Sequence, residues 1–158
     1  MISTVESSIL KGLIHDETYT RRVLPYLKAT YFESSEGARY FGICEEYFSK
    51  YSSCPSAKSI QIALEELNGV TEEEFQQIGA AFEDLTQPED LKTDWLVDTT
   101  ASWCKERAVY IALMDAISIQ DGSDKNRGRD SIPSILSEAL AVSFDDHVGH
   151  DYLGDYIA

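Results

Sequence analysis

The chain has 158 residues, with 13 Lys and Arg against 28 Asp and Glu, a formal net charge of −15. Nucleic-acid affinity comes largely from neutralised phosphates, so this balance excludes a stand-alone DNA- or RNA-binding module and points to basic or apolar protein partners. An apolar content of 43%, with nine Tyr, six Phe and two Trp, excludes a disordered chain and suffices for one core.

Cys44, Cys54 and Cys104 are widely spaced and form no CxxC pair, the pattern of reduced intracellular thiols. The N-terminal MISTVESSILKGLIHD shows no basic region followed by a long apolar run, so neither a signal peptide nor a membrane span is expected.

Every periodic segment reads as helix. Ser3 and Glu6 fit a capping box, and Val5, Ile9, Leu10, Leu13 and Ile14 give one face of a helix over about 4–14. Asp16 caps a second helix carrying Tyr19, Val23 and Leu24, which breaks near Pro25. The segment 27–34 is a connecting turn pinned by Tyr31 and Phe32. A third helix over about 35–51 buries Tyr40, Phe41, Cys44, Tyr47 and Phe48. After the break at 52–56, Ser56 caps a short helix through Leu67 with Ile60, Ile62, Ala63 and Leu64 inward, and Asn68-Gly69 ends it. Thr71 and Glu74 form a second capping box for a helix over about 72–86 that packs Phe75, Ile78, Ala81, Phe82 and Leu85.

From about Glu89 to Gln120 no Pro or Gly interrupts, and Leu96, Trp103, Tyr110 and Ile117 recur every seven residues with Met114 beside them. A helix of about 30 residues spans roughly 45 Å, more than a small body needs. A polar loop, DGSDKNRGRD (121–130), precedes an amphipathic helix over about 131–143 carrying Ile132, Ile135, Leu136, Ala139 and Leu140, with Pro133 in its first turn. The pair reads as a helical hairpin. In the last segment Val148, Tyr152, Leu153, Tyr156 and Ile157 form one apolar stripe opposite Asp145, Asp146, Asp151 and Asp155. The expected architecture is all-α: a globular helical body (1–88), a projecting hairpin (89–143) and a linker (144–158). Leu96, Trp103, Tyr110, Met114, Ile117, Ile135, Leu136 and Leu140 are the expected self-association residues. Val148, Tyr152, Leu153, Tyr156 and Ile157 are the expected linker-docking residues.

No catalytic, cofactor or metal site is expected. GxxxxGK[ST], GxGxxG, GxSxG and HExxH are absent from the sequence. Cys104 has no His near it in sequence. His147 and His150 sit among carboxylates, but Gly149 lies between them, and a solvated connector explains them better than a metal site. Glu72, Glu73 and Glu74 serve the dipole of a first helical turn. Lys125, Arg127 and Arg129 are offset by Asp121, Asp124 and Asp130. Trp95 and Trp103, eight apart on a shared face, suit packing better than base stacking.

The clusters PYLKATYFES (25–34), CPS (54–56), DWLV (94–97), ERA (106–108), IPSILSEAL (132–140) and SFDDHVGHDYLGDY (143–156), taken in order, resemble the N-terminal part of replicative DNA helicases of the T-even-phage type, in the DnaB-like hexameric family. The resemblance covers nearly the whole chain, although no single cluster is a functional signature. It implies a collar domain that associates through helical hairpins and recruits primase and other replisome proteins. It also implies a linker whose helix docks on a neighbouring subunit of a hexameric ring, leading to a RecA-like ATPase domain. ATP and Mg would belong to that motor domain, whose phosphate loop this chain lacks, and the setting would be the cytoplasm of an infected bacterium. Two alternatives from other classes are an acidic inhibitor or DNA mimic, and a small metal-dependent enzyme built on His147 and His150.

Overall fold

The computed structural model describes residues 1–144. Its secondary structure is all-helical, as expected, with seven α-helices and no strand among the described residues. The helices are α1 (Thr4–His15), α2 (Glu17–Val23), α3 (Ser35–Tyr51), α4 (Ala57–Glu65), α5 (Glu72–Leu85), α6 (Thr93–Gln120) and α7 (Ile132–Leu140). Single 3-10 turns lie at Leu24–Tyr26, Ala29–Tyr31 and Arg129–Ser131. The chain divides into two compact units, Met1–Thr100 and a second beginning at Ala101, and the division falls inside α6.

In the first unit the side chains of Ser3, Asp16, Ser34, Ser56 and Thr71 each accept a backbone N–H three residues on, fixing the starts of α1 to α5. Pro25, in the first turn of a 3-10 helix, ends α2. Ser52, in left-handed conformation at φ 54°, ends α3, and Gly69 at φ 73° turns the chain between α4 and α5. Helix α1 packs on α2, α3 and α5, and α3 packs on α4 and α5. The core between them holds Ile9, Leu10, Leu13, Tyr19, Val23, Tyr40, Phe41, Ile60, Ile78 and Leu85, each at most 1% exposed. Phe32 stacks on Phe41 with centroids 5.3 Å apart, and the Tyr40 hydroxyl donates to the carbonyl of Ile78 at 2.5 Å.

The start of α6 is fastened to the α1–α2 corner. Thr93 Oγ1 donates to Asp16 Oδ2 at 2.6 Å, Arg22 pairs with Asp94 at 2.7 Å, and Leu96 packs where a side chain on Gly12 would clash with it. Tyr19 Oη lies 2.6 Å from Thr100 Oγ1, and that threonine donates to the Leu96 carbonyl at 2.7 Å. The threonine's single proton is thus committed, so the tyrosine donates.

Four sequence expectations need correction. Glu6 does not simply close a capping box: it is 1% exposed, and its Oε2 accepts the Glu33 N–H at 3.0 Å across the fold. Val5, Ile62 and Phe75 are 38%, 49% and 43% exposed, on the flanks of their helices rather than inward. Tyr47 and Phe48 are only half-buried. Helix α6 also starts at Thr93 rather than near Glu89, because Pro88 and a tight Glu89–Leu91 turn precede it.

Candidate self-association surface

The C-terminal half of α6 lies in the second unit. At 100° per residue, Cys104, Ala108, Ala112 and Ile119 fall on one flank, and all four are buried. Tyr110, Leu113, Met114 and Ile117 fall on the opposite flank at i, i+3, i+4 and i+7, and are 53%, 48%, 46% and 55% exposed. Val109 is half-buried beside them. Four large apolar side chains in helical register on an exposed face form a continuous ridge, which differs from singly scattered surface residues.

Arg107 edges this ridge, its guanidinium 5.0 Å from the centroid of the Tyr110 ring. Beyond the end of α6 the polar loop turns back toward the other flank. Gly122 takes φ 85°, the Asp124 N–H donates to the Ser118 carbonyl at 3.0 Å, and Arg127 bridges Asp124 at 2.7 Å and Asp115 at 3.6 Å. Asp115 sits on the half-buried side of α6, opposite the ridge. The side-chain hydrogen bond from Arg127 holds the Asp124 carboxyl below its ordinary range, and bonds from Ser123 lower Asp121 in the same way. Arg127 is therefore engaged within its own loop rather than held out for phosphate.

The expected association residues separate into groups. Leu96 and Trp103 are 5% and 8% exposed, so their side chains are spent inside this chain and add no area to a contact. Tyr110, Met114 and Ile117 are presented, as is Leu140 of α7 at 59%, while Ile135 and Leu136 are half-buried. Leu113 was missed because the seven-residue spacing skips it. The i, i+3, i+4, i+7 template would have found it. Trp95, read from sequence as sharing a face with Trp103, is instead 54% exposed in the first unit. Val148, Tyr152, Leu153, Tyr156 and Ile157, with His147 and His150, lie outside the described residues.

No group of three or more His, Cys, Asp or Glu side chains among the described residues is placed to hold a metal. Burial pushes the thiols of Cys44 and Cys104 up to about 12, far from nucleophilic. No helix among the described residues is long and apolar enough to cross a membrane.

No protein-family model matches the chain. It is 34% identical over 159 residues to the DnaB-like replicative helicase of Enterobacteria phage T4, an alignment covering 95% of this chain and 33% of that relative. The chain thus spans about a third of the length of the curated relative it matches, and its resemblance to phage DnaB-like replicative helicases, read from its residue clusters, is borne out across nearly its whole length.

Proposed function

We propose that the chain is the collar module of a phage replicative helicase, a non-catalytic domain that helps assemble a hexameric ring and recruits primase and other replisome proteins. Unwinding and ATP hydrolysis, with ATP and Mg, would belong to a motor domain absent from this sequence. The setting would be the cytoplasm of the infected host. The observation that carries the reading is the exposed ridge Tyr110, Leu113, Met114 and Ile117, an apolar face in helical register on an otherwise acidic chain. Such a face suits helix-on-helix association. The likeness to a replicative helicase supplies the context.

The size of the ridge sets the strength. Four half-exposed side chains offer about 300 Å² of apolar area per copy, well below the ~800 Å² per partner of a standard stable interface. Self-association of this chain alone is therefore weak, and ring closure draws on further contacts that we assign to the motor tier and to the linker residues. An acidic surface is consistent with a tier that holds proteins while another grips DNA.

Sedimentation of the 158-residue chain from micromolar to millimolar concentration tests this. Concentration-dependent association is expected, and Met114→Glu or Ile117→Glu is expected to abolish it. A chain that stays monomeric throughout, or that associates equally well with either glutamate, overturns the assignment.

A further inference from the structure

We propose that the α-amino group of Met1 is a modification-sensitive site: as a free ammonium it is the counter-ion of a buried carboxylate, and acylation of that nitrogen releases the start of the chain from α3. Met1 N lies 3.3 Å from Glu36 Oε2. Glu36 stands in the first turn of α3 and is only 4% exposed. The Met1 side chain, in contrast, is fully exposed and buries nothing. Charge rather than packing therefore holds the first residue in place. Beside the pair lies a hollow of about 360 Å³ between the N-terminal arm and α5, lined by Ile2, Ser7, Gln77, Ala81 and Leu85. It has room for a formyl or acetyl group, so the effect of acylation is a loss of charge and not a clash.

Among the described residues Glu36 makes no other ion pair. A carboxylate this deeply buried has lost its hydration, and the loss is offset only by a counter-charge or hydrogen bonds. The dipole of α3 favours an anion at its start, but with about half an elementary charge spread over the first turn. The ammonium supplies a full charge at contact distance. An amide nitrogen carries no charge, so a formyl or acetyl group on Met1 removes the counter-ion while Glu36 stays buried. Formylation is the relevant acylation in a bacterial host, a setting that rests on the reading above, since translation there begins with formylmethionine. Its reversal is a hydrolysis by a deformylating enzyme of the host. Water adds across the formamide C–N bond, the formyl carbon departs as formate, and the amine is left as the ammonium that Glu36 binds. Deformylation is thus the step that completes the packing of the N-terminal arm on α3.

The test compares the 158-residue chain carrying a free Met1 amine with the same chain carrying formylmethionine, obtained by expression with deformylation inhibited and verified by mass spectrometry. Formylation is expected to lower the thermal midpoint by about 3–6 °C. In Glu36→Gln, which has no charge to lose its partner, the two forms are expected to agree within about 1 °C. A semisynthetic chain with an N-methyl group on the Met1 amine adds bulk and keeps the charge. Its midpoint is expected within about 1 °C of the free amine, and because no side chain changes, this comparison decides even where Glu36→Gln does not fold. Equal midpoints for the formylated and free parent chains overturn the proposal. So does an N-methyl loss as large as the formyl loss, or a formyl loss in Glu36→Gln equal to that in the parent. Sedimentation of both forms keeps the collar reading separate: association through the α6 ridge is expected to be the same in each, and its absence from both counts against that reading and not against the Met1 site.

Discussion

The buried hydroxyl relay from Tyr19 through Thr100 to the Leu96 carbonyl gives a sharp test of what fixes the root of α6. Both side chains are fully buried, with separations of 2.6 Å and 2.7 Å. The donor order is determined because Thr100 gives its only proton to the carbonyl, so Tyr19 must donate. The two deletions are then unequal. Tyr19→Phe removes a donor and leaves Thr100 still bonded to Leu96, which costs about 1 kcal/mol, the net worth of one hydrogen bond. Thr100→Val keeps the β-branched shape but takes the threonine acceptor away from the buried tyrosine hydroxyl. It adds the desolvation penalty, for a total of about 2–3 kcal/mol. Removing both ends should cost less than the sum, with a coupling of about 1 kcal/mol. Urea unfolding followed by circular dichroism measures all four corners of the cycle. If Tyr19→Phe proves as costly as Thr100→Val, or if the double variant is strictly additive, the assigned proton order is wrong.

Two glycines in helices should respond with opposite sign. A Cβ on Gly12 would lie 2.5 Å from Tyr19 Cε2 and 2.9 Å from Leu96 Cδ2, so Gly12→Ala should destabilise by about 1–3 kcal/mol in thermal unfolding. Nothing lies within 4 Å of a Cβ on Gly42 in α3, so Gly42→Ala should stabilise by about 0.5–1 kcal/mol. Glu6→Ala should cost about 1–3 kcal/mol, because it strips the acceptor from the Glu33 N–H just ahead of the α3 cap, and proteolysis near 32–36 should speed up accordingly. Alkaline conditions should weaken the fold. The buried Cys44 and Cys104 thiols rise from 9.0 to about 12 and Tyr40 is raised further by burial, so their neutral forms contribute stability below about pH 9, and this is lost as pH climbs toward 12. A urea midpoint that does not fall between pH 8.5 and 11 contradicts this. At pH 8, alkylation of Cys44 and Cys104 should follow unfolding rather than precede it.

The helices of the first unit were largely legible because local chemistry states their ends. Ser3, Asp16, Ser34, Ser56 and Thr71 stand immediately before their helices and act there as caps, and the expected bounds of α3 match Ser35–Tyr51. What periodicity could not give was depth. Ile62 and Phe75 sit on apolar stripes yet remain nearly half exposed, because a stripe is wider than the strip a neighbouring helix covers. Nor could local pattern reveal that the Glu6 carboxylate serves a backbone group 27 residues away. A long-range polar contact leaves no periodic mark, and the capping-box spacing supplied a plausible local partner instead.

Burial divides the expected self-association stripe. Leu96, Trp103, Tyr110 and Ile117 are seven residues apart and read as one line. In a straight α-helix seven residues fall short of two full turns, and the line rotates by about 20° per repeat. Three repeats carry it only about 60° around α6, and Leu96, eighteen residues before Met114, shares that residue's azimuth, so position along the helix rather than rotation divides the line. Leu96 and Trp103, nearer the start, are 5% and 8% exposed, while Tyr110 and Ile117, further along, are 53% and 55%. One sequence repeat thus serves two purposes along one helix: its early members root α6 in its own chain and its late members form the outward ridge. Leu113 belongs with Tyr110, Met114 and Ile117 although it breaks the seven-residue count, because positions i, i+3, i+4 and i+7 lie on one helical face. It also separates the mutational consequences. Glutamate at Trp103 is expected to unfold the protein, whereas glutamate at Met114 or Ile117 should leave the urea midpoint nearly unchanged and remove only association. A loss of fold from Met114→Glu comparable to that from Trp103→Glu would mean that the ridge is covered in solution by this chain itself.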